Sequence, residues 1–175
     1  MISNLRSQNG FTLFETIISV GLLLIIVGSL GGFVVSLQNA RSQIASTQEV
    51  DANLRMTLDV IGERIRRAQS VDTGTSTFDA DPGILSLAMA DPAVDPTVFR
   101  LNQDNGILEM QEGASIPVAI TSSEVSVSNL IFSLQSPSGE PETIGIALTI
   151  ESASSSDSYA SFTHTAATSV TVRLQ

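Results

Sequence analysis

The pattern of apolar and polar positions changes twice along the chain. Residues 11–37, FTLFETIISVGLLLIIVGSLGGFVVSL, are almost wholly apolar, and from Thr16 to Leu37 no side chain carries a charge. At the helical rise per residue that uncharged stretch is roughly 30 Å long, enough to cross a bilayer. Farther on, apolar side chains recur every three or four positions, at Val50, Leu54, Leu58, Ile61, Ile65 and Ala68. That spacing is the stripe of an amphipathic helix. Asp51 and Arg55, and again Glu63 and Arg67, stand four apart and predict ion pairs along the helix surface. One helix is therefore predicted from about residue 11 to about residue 69, stopped by Ser70-Val71-Asp72-Thr73-Gly74-Thr75.

Beyond Gly74 the apolar runs shorten and become rich in β-branched residues. Strands are predicted at 84–89, 97–101, 107–110, 116–120, 130–134, 143–150, 159–163 and 169–174. Asp104-Asn105-Gly106 is a hairpin connector, and residues 152–158 form a loop. Pro82, Pro92, Pro96, Pro137 and Pro141 fall in the gaps, where a missing N–H does no harm. The fold class is α+β: a long N-terminal helix whose amphipathic half lies across an antiparallel sheet.

Charge sharpens this division. The 175-residue chain has no Lys, 8 Arg and 18 acidic residues, for a net charge of −10. Residues 72–175 hold 13 Asp and Glu against Arg100 and Arg173, a net −11. Residues 41–70 set five Arg against Glu49, Asp51, Asp59 and Glu63, a net +1. So acidic a head repels phosphate backbones, which argues against direct nucleic-acid binding. The absence of Cys excludes disulfides and thiolate metal sites. The Arg64, Arg66, Arg67 cluster is expected to cover the acidic head or an acidic surface of a neighbour.

Glu15 is the one ionisable side chain in the apolar run. A secretory signal peptide does not account for the run. Only Arg6 precedes it, the apolar stretch is too long, and Ser36-Leu37-Gln38 is a poor cleavage site. A plain anchor fits the length and leaves Glu15 unexplained. A charge at depth is costly and marks function, whereas an acid in the first turn at the interface is favoured by the helix dipole; spacing alone leaves both readings open. Gly28 and Gly32 form a small-xxx-small pair, which suits close helix packing but also reflects how common Gly is in membrane helices.

The residues around Glu15 carry a resemblance. Asn9-Gly10-Phe11-Thr12-Leu13-Phe14-Glu15, followed by the uncharged span, resembles the prepilin cleavage motif of type IV pilins and type II secretion pseudopilins. The resemblance implies that residues 1–10 are a leader removed by a membrane prepilin peptidase. Gly10 would precede the scissile bond, Phe11 would become the N-methylated first residue, and Glu15 would be the assembly residue. It divides the remainder into a membrane-spanning and polymerisation half-helix (11–37), an amphipathic half-helix (38–70) and a β-rich head (71–175). Residues 58–71 and the order of the strand motifs that follow are similar to J-type pseudopilins and W-type minor pilins, which implies a minor subunit. Other pilin-like subunits, an inner-membrane assembly platform and, before assembly, membrane lipid are then the expected partners. The head would lie outside the cytoplasm. The alternatives are a membrane-tethered extracellular binding module and a competence-type DNA-uptake pilin.

Little else in the sequence suggests chemistry. His164, the only His, stands in a Thr-rich strand with no Ser-Asp companion motif and is expected at a surface or sheet edge. Asp79 and Asp81, in Asp79-Ala80-Asp81-Pro82-Gly83, and the pair Asp91 and Asp95 offer hard oxygens to calcium. They lack the alternating ligand pattern with a terminal Glu and also read as turn formers. There is no phosphate-binding Gly loop and no nucleophile elbow. No cofactor is expected, and the chain is expected to be an enzyme's substrate rather than an enzyme.

Overall fold

In the computed structural model, residues 12–135, 142–153 and 162–172 are described. The chain divides into two compact units, Met1–Arg41 and Ser42–Gln175. Helix α1 (Leu13–Arg67) contributes to both.

In the first unit, Leu13–Gln38 is long and apolar enough to cross a membrane, and none of it is buried within the chain. Its hydroxyls are satisfied locally where bonds are seen: Ser29 Oγ donates to the Ile26 carbonyl at 2.8 Å and Thr16 Oγ1 to the Thr12 carbonyl at 3.3 Å. Such internal bonding is what an apolar surrounding demands. Leu13, Phe14, Ile25 and Phe33 are among its many exposed large side chains. So continuous an apolar surface needs lipid or other helices to cover it.

In the second unit, α1 buries Val50, Leu54, Thr57, Ile61 and Ile65. The stripe passes through Thr57 where the sequence pattern predicts Leu58, which is only partly buried. Position 57 lies three residues from Leu54 and four from Ile61, so it shares their face, and Leu58 is turned aside. Each fully buried aliphatic side chain contributes about 1.5–3 kcal/mol. The helix ends at Arg67, two residues earlier than predicted, and Ala68 opens β1 (Ala68–Val71) without a connector. A bulge between Ala68 and Ser70 allows both Ala68 and Val71 to reach the core.

The remaining strands are β2 (Leu85–Met89), β3 (Thr97–Asn102), β4 (Ile107–Glu112), β5 (Val118–Ala119), β6 (Val125–Leu134), β7 (Thr143–Ser152) and β8 (Thr163–Thr171). They form two antiparallel sheets where one was expected: a meander β1-β2-β3-β4-β5 and a second meander β6-β7-β8. The α+β class stands. Two strand predictions change. β5 is only two residues long because Pro117, inside the predicted strand, supplies no N–H for the ladder. The segments predicted at 159–163 and 169–174 give way to one strand through residues 163–171, which pairs with β7 in unbroken register. Residues 159–161 and 173–174 of those segments, much of the 152–158 loop, Pro137, Pro141 and Arg173 lie outside the described residues.

Leu85, Leu87, Phe99 and Leu108 of the first sheet and Leu130, Phe132, Ile144, Ile146, Leu148 and Ile150 of the second are fully buried with the helix stripe in one core. The sheets are stitched at Gly106, whose carbonyl accepts the Val127 amide at 2.8 Å. Gly106 sits in the predicted hairpin with φ +67°, and a Cβ there would stand 2.2 Å from Ser126 Oγ. Only glycine fits both that conformation and that approach.

Candidate functional site: the first turn of helix α1 and the charges of its second half

Gly10 and Phe11, the residues of the expected cleavage and methylation, lie outside the described residues. Immediately after them the chain enters α1. Thr12 Oγ1 accepts the Glu15 amide at 3.3 Å, and the Thr12 carbonyl accepts the Thr16 amide at 3.1 Å. Thr12 is therefore the N-cap, and Thr12-x-x-Glu15 has the spacing of a capping box. The signal for this cap lies in those four residues of the sequence. Glu15 lies exposed in the first turn, beside the positive end of the helix dipole, at the head of the apolar span. That placement accommodates both readings of Glu15.

Gly28 and Gly32 are open: a Cβ built at either meets nothing within 4 Å, and the same holds for Gly21 and Gly31. Positions 28 and 32 share one helix face. They leave a shallow site where another helix can approach closely.

The Asp81 carboxylate is engaged by the backbone, whereas Asp79 is held through its own amide. Asp81 Oδ1 accepts the Leu130 amide at 2.9 Å, the Asp79 amide donates to the Phe132 carbonyl at 2.8 Å, and the Gly83 amide donates to the Leu130 carbonyl at 2.7 Å. The 79–83 loop thus covers the outer edge of β6. Asp91 Oδ1 takes the Ala93 amide and Asp95 Oδ1 the Met89 amide. Among the described residues no three His, Cys, Asp or Glu gather as metal ligands.

The charges of the second half of α1 are arranged differently from the sequence pairing. Glu63 and Arg67 do pair, at 2.5 Å. Asp51 instead meets His164 of β8, Oδ1 to Nδ1 at 2.5 Å, so Arg55 is left without the expected partner. Arg64 reaches the head, Nη2 to Glu112 Oε1 at 2.7 Å. Arg100 pairs across the hairpin with Glu109 at 3.6 Å. Arg66 folds back along the helix, its Nη1 3.3 Å from where a Cβ of Gly62 would be. Among the described residues, Arg55 and Arg66 make no ion pair.

The Asp72 carboxyl is held below the usual carboxylate range, first by the Thr75 hydroxyl, which donates to Oδ2 at 2.7 Å, and next by the Gly74 amide on Oδ1 at 3.0 Å. It closes the turn that follows β1.

Compared with protein-family models, with curated proteins and with solved structures, the chain has no match in any of the three.

Proposed function

We propose that the chain is the precursor of a structural subunit of a type IV pilus-like filament or secretion pseudopilus, a minor one of the J/W type. The carrying observation is one juxtaposition. Glu15 stands in the first turn of α1, closing the run Asn9-Gly10-Phe11-Thr12-Leu13-Phe14-Glu15 and directly before an uncharged apolar span reaching Gln38. Prepilin peptidase would cut after Gly10, where the missing Cβ admits a protease to the backbone. The cut creates a cationic, methylated amine on Phe11. In lipid, that amine and Glu15 are each costly alone. Pairing Glu15 of one subunit with the amine of the next neutralises both and fixes their axial register; losing either partner strands the other at several kcal/mol. Gly28 and Gly32 would let neighbouring helices approach. Before assembly the subunit is a single-pass protein of the inner membrane, with its head outside the cytoplasm, delivered to an assembly platform. No catalytic or cofactor role is assigned to it.

Intact-mass and N-terminal analysis of the native protein tests this. The expected chain begins at Phe11 and carries one added methyl group; a mature start at Met1 or near Ser36 overturns the proposal.

One observation favours a second reading, a membrane-tethered binding module. Glu15 lies in the first turn of α1, where the helix dipole favours an acid without any neighbouring subunit. The two readings part at Glu15→Ala, which under the tether reading leaves every function intact.

A further inference from the structure

The second sheet has two unlike edges. The β6 edge is covered by the 79–83 loop and by Gly106. Among the described residues the β8 edge is open. The Val172 amide donates to the Glu142 carbonyl and the Phe162 carbonyl accepts the Ser152 amide, so even-numbered residues turn their backbone groups toward β7. By alternation, Thr163, Thr165, Ala167, Ser169 and Thr171 point their N–H and C=O groups outward. Among the described residues no backbone group meets them. Natural edges are blunted by charge, proline or bulges. β8 has no acidic or basic residue except His164, no Pro, and a nine-residue ladder without a bulge.

A cleft of about 370 Å³ lies beside this edge, between α1 and β8. Arg55, Asp59, Gly62 and Arg66 line it from the helix and Val170 from the strand. Both arginines lack a carboxylate partner among the described residues, whereas Arg64, Arg67 and Arg100 each have one. Asp59 is the one acid in the lining, so the cleft is net positive on a chain of −10. The cleft opens on the face of β8 that carries the Thr168 and Val170 side chains, next to the outward backbone groups of the odd-numbered residues.

We infer that β8 and the Arg55–Arg66 cleft together dock an extended, acidic segment of a partner protein, which adds to the second sheet as a further strand. Its backbone takes the outward groups of β8. Its inward side chains lie under α1, where two carboxylates meet Arg55 and Arg66. Eleven helical residues rise about 16 Å, and Arg66 leans back toward Gly62, so the carboxylates belong about four residues apart on a strand. Main-chain bonds supply affinity and the alternating side chains specificity, as in other strand additions. The inference does not depend on the filament reading.

The test uses the full chain in detergent and a fluorescent peptide of about eight residues, alternating valine and threonine, with two glutamates four apart. Anisotropy should report saturable binding that weakens at least about tenfold when the glutamates become glutamines, and equally in Arg55→Gln/Arg66→Gln. Ala167→Pro, which removes one outward N–H from an edge strand that tolerates proline, should abolish binding with the circular dichroism unchanged. Should that variant not fold, the arginine pair decides alone. Glu15→Ala should bind the peptide like the parent chain. Equal affinity for the glutamate and glutamine peptides overturns the inference. So does indifference to both arginines, displacement by an equal concentration of short single-stranded DNA, or self-association through β8 that excludes the peptide.

Discussion

Asp51 on α1 and His164 on β8 stand 113 residues apart in sequence and 2.5 Å apart in space. The contact fastens the edge strand to the helix, and it takes from Arg55 the carboxylate that an isolated helix would offer it. Both side chains are well exposed, 36% and 47%, so the expected gain is small. Asp51→Asn and His164→Ala should each lower the thermal midpoint slightly, with a double-mutant coupling of about 0.5 kcal/mol. A coupling of zero would mean the two side chains do not meet in solution.

Asp72 is held in its charged form. Its folded-state carboxyl lies below its unfolded one, because Thr75 and Gly74 donate to the charged form. Its contribution is therefore fully present above the usual carboxylate range and disappears as pH falls through the lowered value. Carboxyl titration by NMR should show Asp72 losing its charge later than an ordinary Asp on acidification. Thr75→Ala should move that titration upward; no movement would refute the assigned cause.

Thr57 is fully buried and its hydroxyl has no hydrogen-bond partner among the described residues. Thr57→Val removes the orphan group at nearly constant shape, and the expected result is equal or higher stability, by up to about 1 kcal/mol. A clear loss in chemical denaturation would reveal a partner for the hydroxyl.

Gly106→Ala should destabilise the second unit by at least about 2 kcal/mol. The substitution forces an L side chain into positive φ and drives Cβ against Ser126 Oγ. Denaturation followed by circular dichroism measures it, and a neutral result would mean the junction of the two sheets is looser than its geometry.

Glu15→Ala should leave membrane insertion and processing intact and stop incorporation into filaments, read by fractionating the membrane and the sheared filaments. Normal incorporation would transfer support to the tethered-module reading.

The helix and the hairpin strands were legible because each repeats a period: three or four residues in α1, two in β3 and β4, with Asp104-Asn105-Gly106 marking the turn between them. β1 was not, since four residues following a helix without a turn signal carry too little pattern. Residues 164–168, His-Thr-Ala-Ala-Thr, read as a gap because small polar side chains have no hydrophobic alternation; β7 makes them a strand by pairing. Of the candidate site, Glu15 and its span could be read directly. The open arginines could not, because which carboxylate each guanidinium finds is settled by tertiary neighbours such as His164 and Glu112.

The joint between α1 and β1 has a mechanical consequence. Arg67 is the last helical residue and Ala68 the first of the strand, so there is no slack between them. Tension arriving along the helix is met at once by the rungs joining β1 to β2 and by the helix side chains locked in the core. Within the second unit this joint has no compliant residue to stretch first, so it yields only by breaking ladder and core contacts.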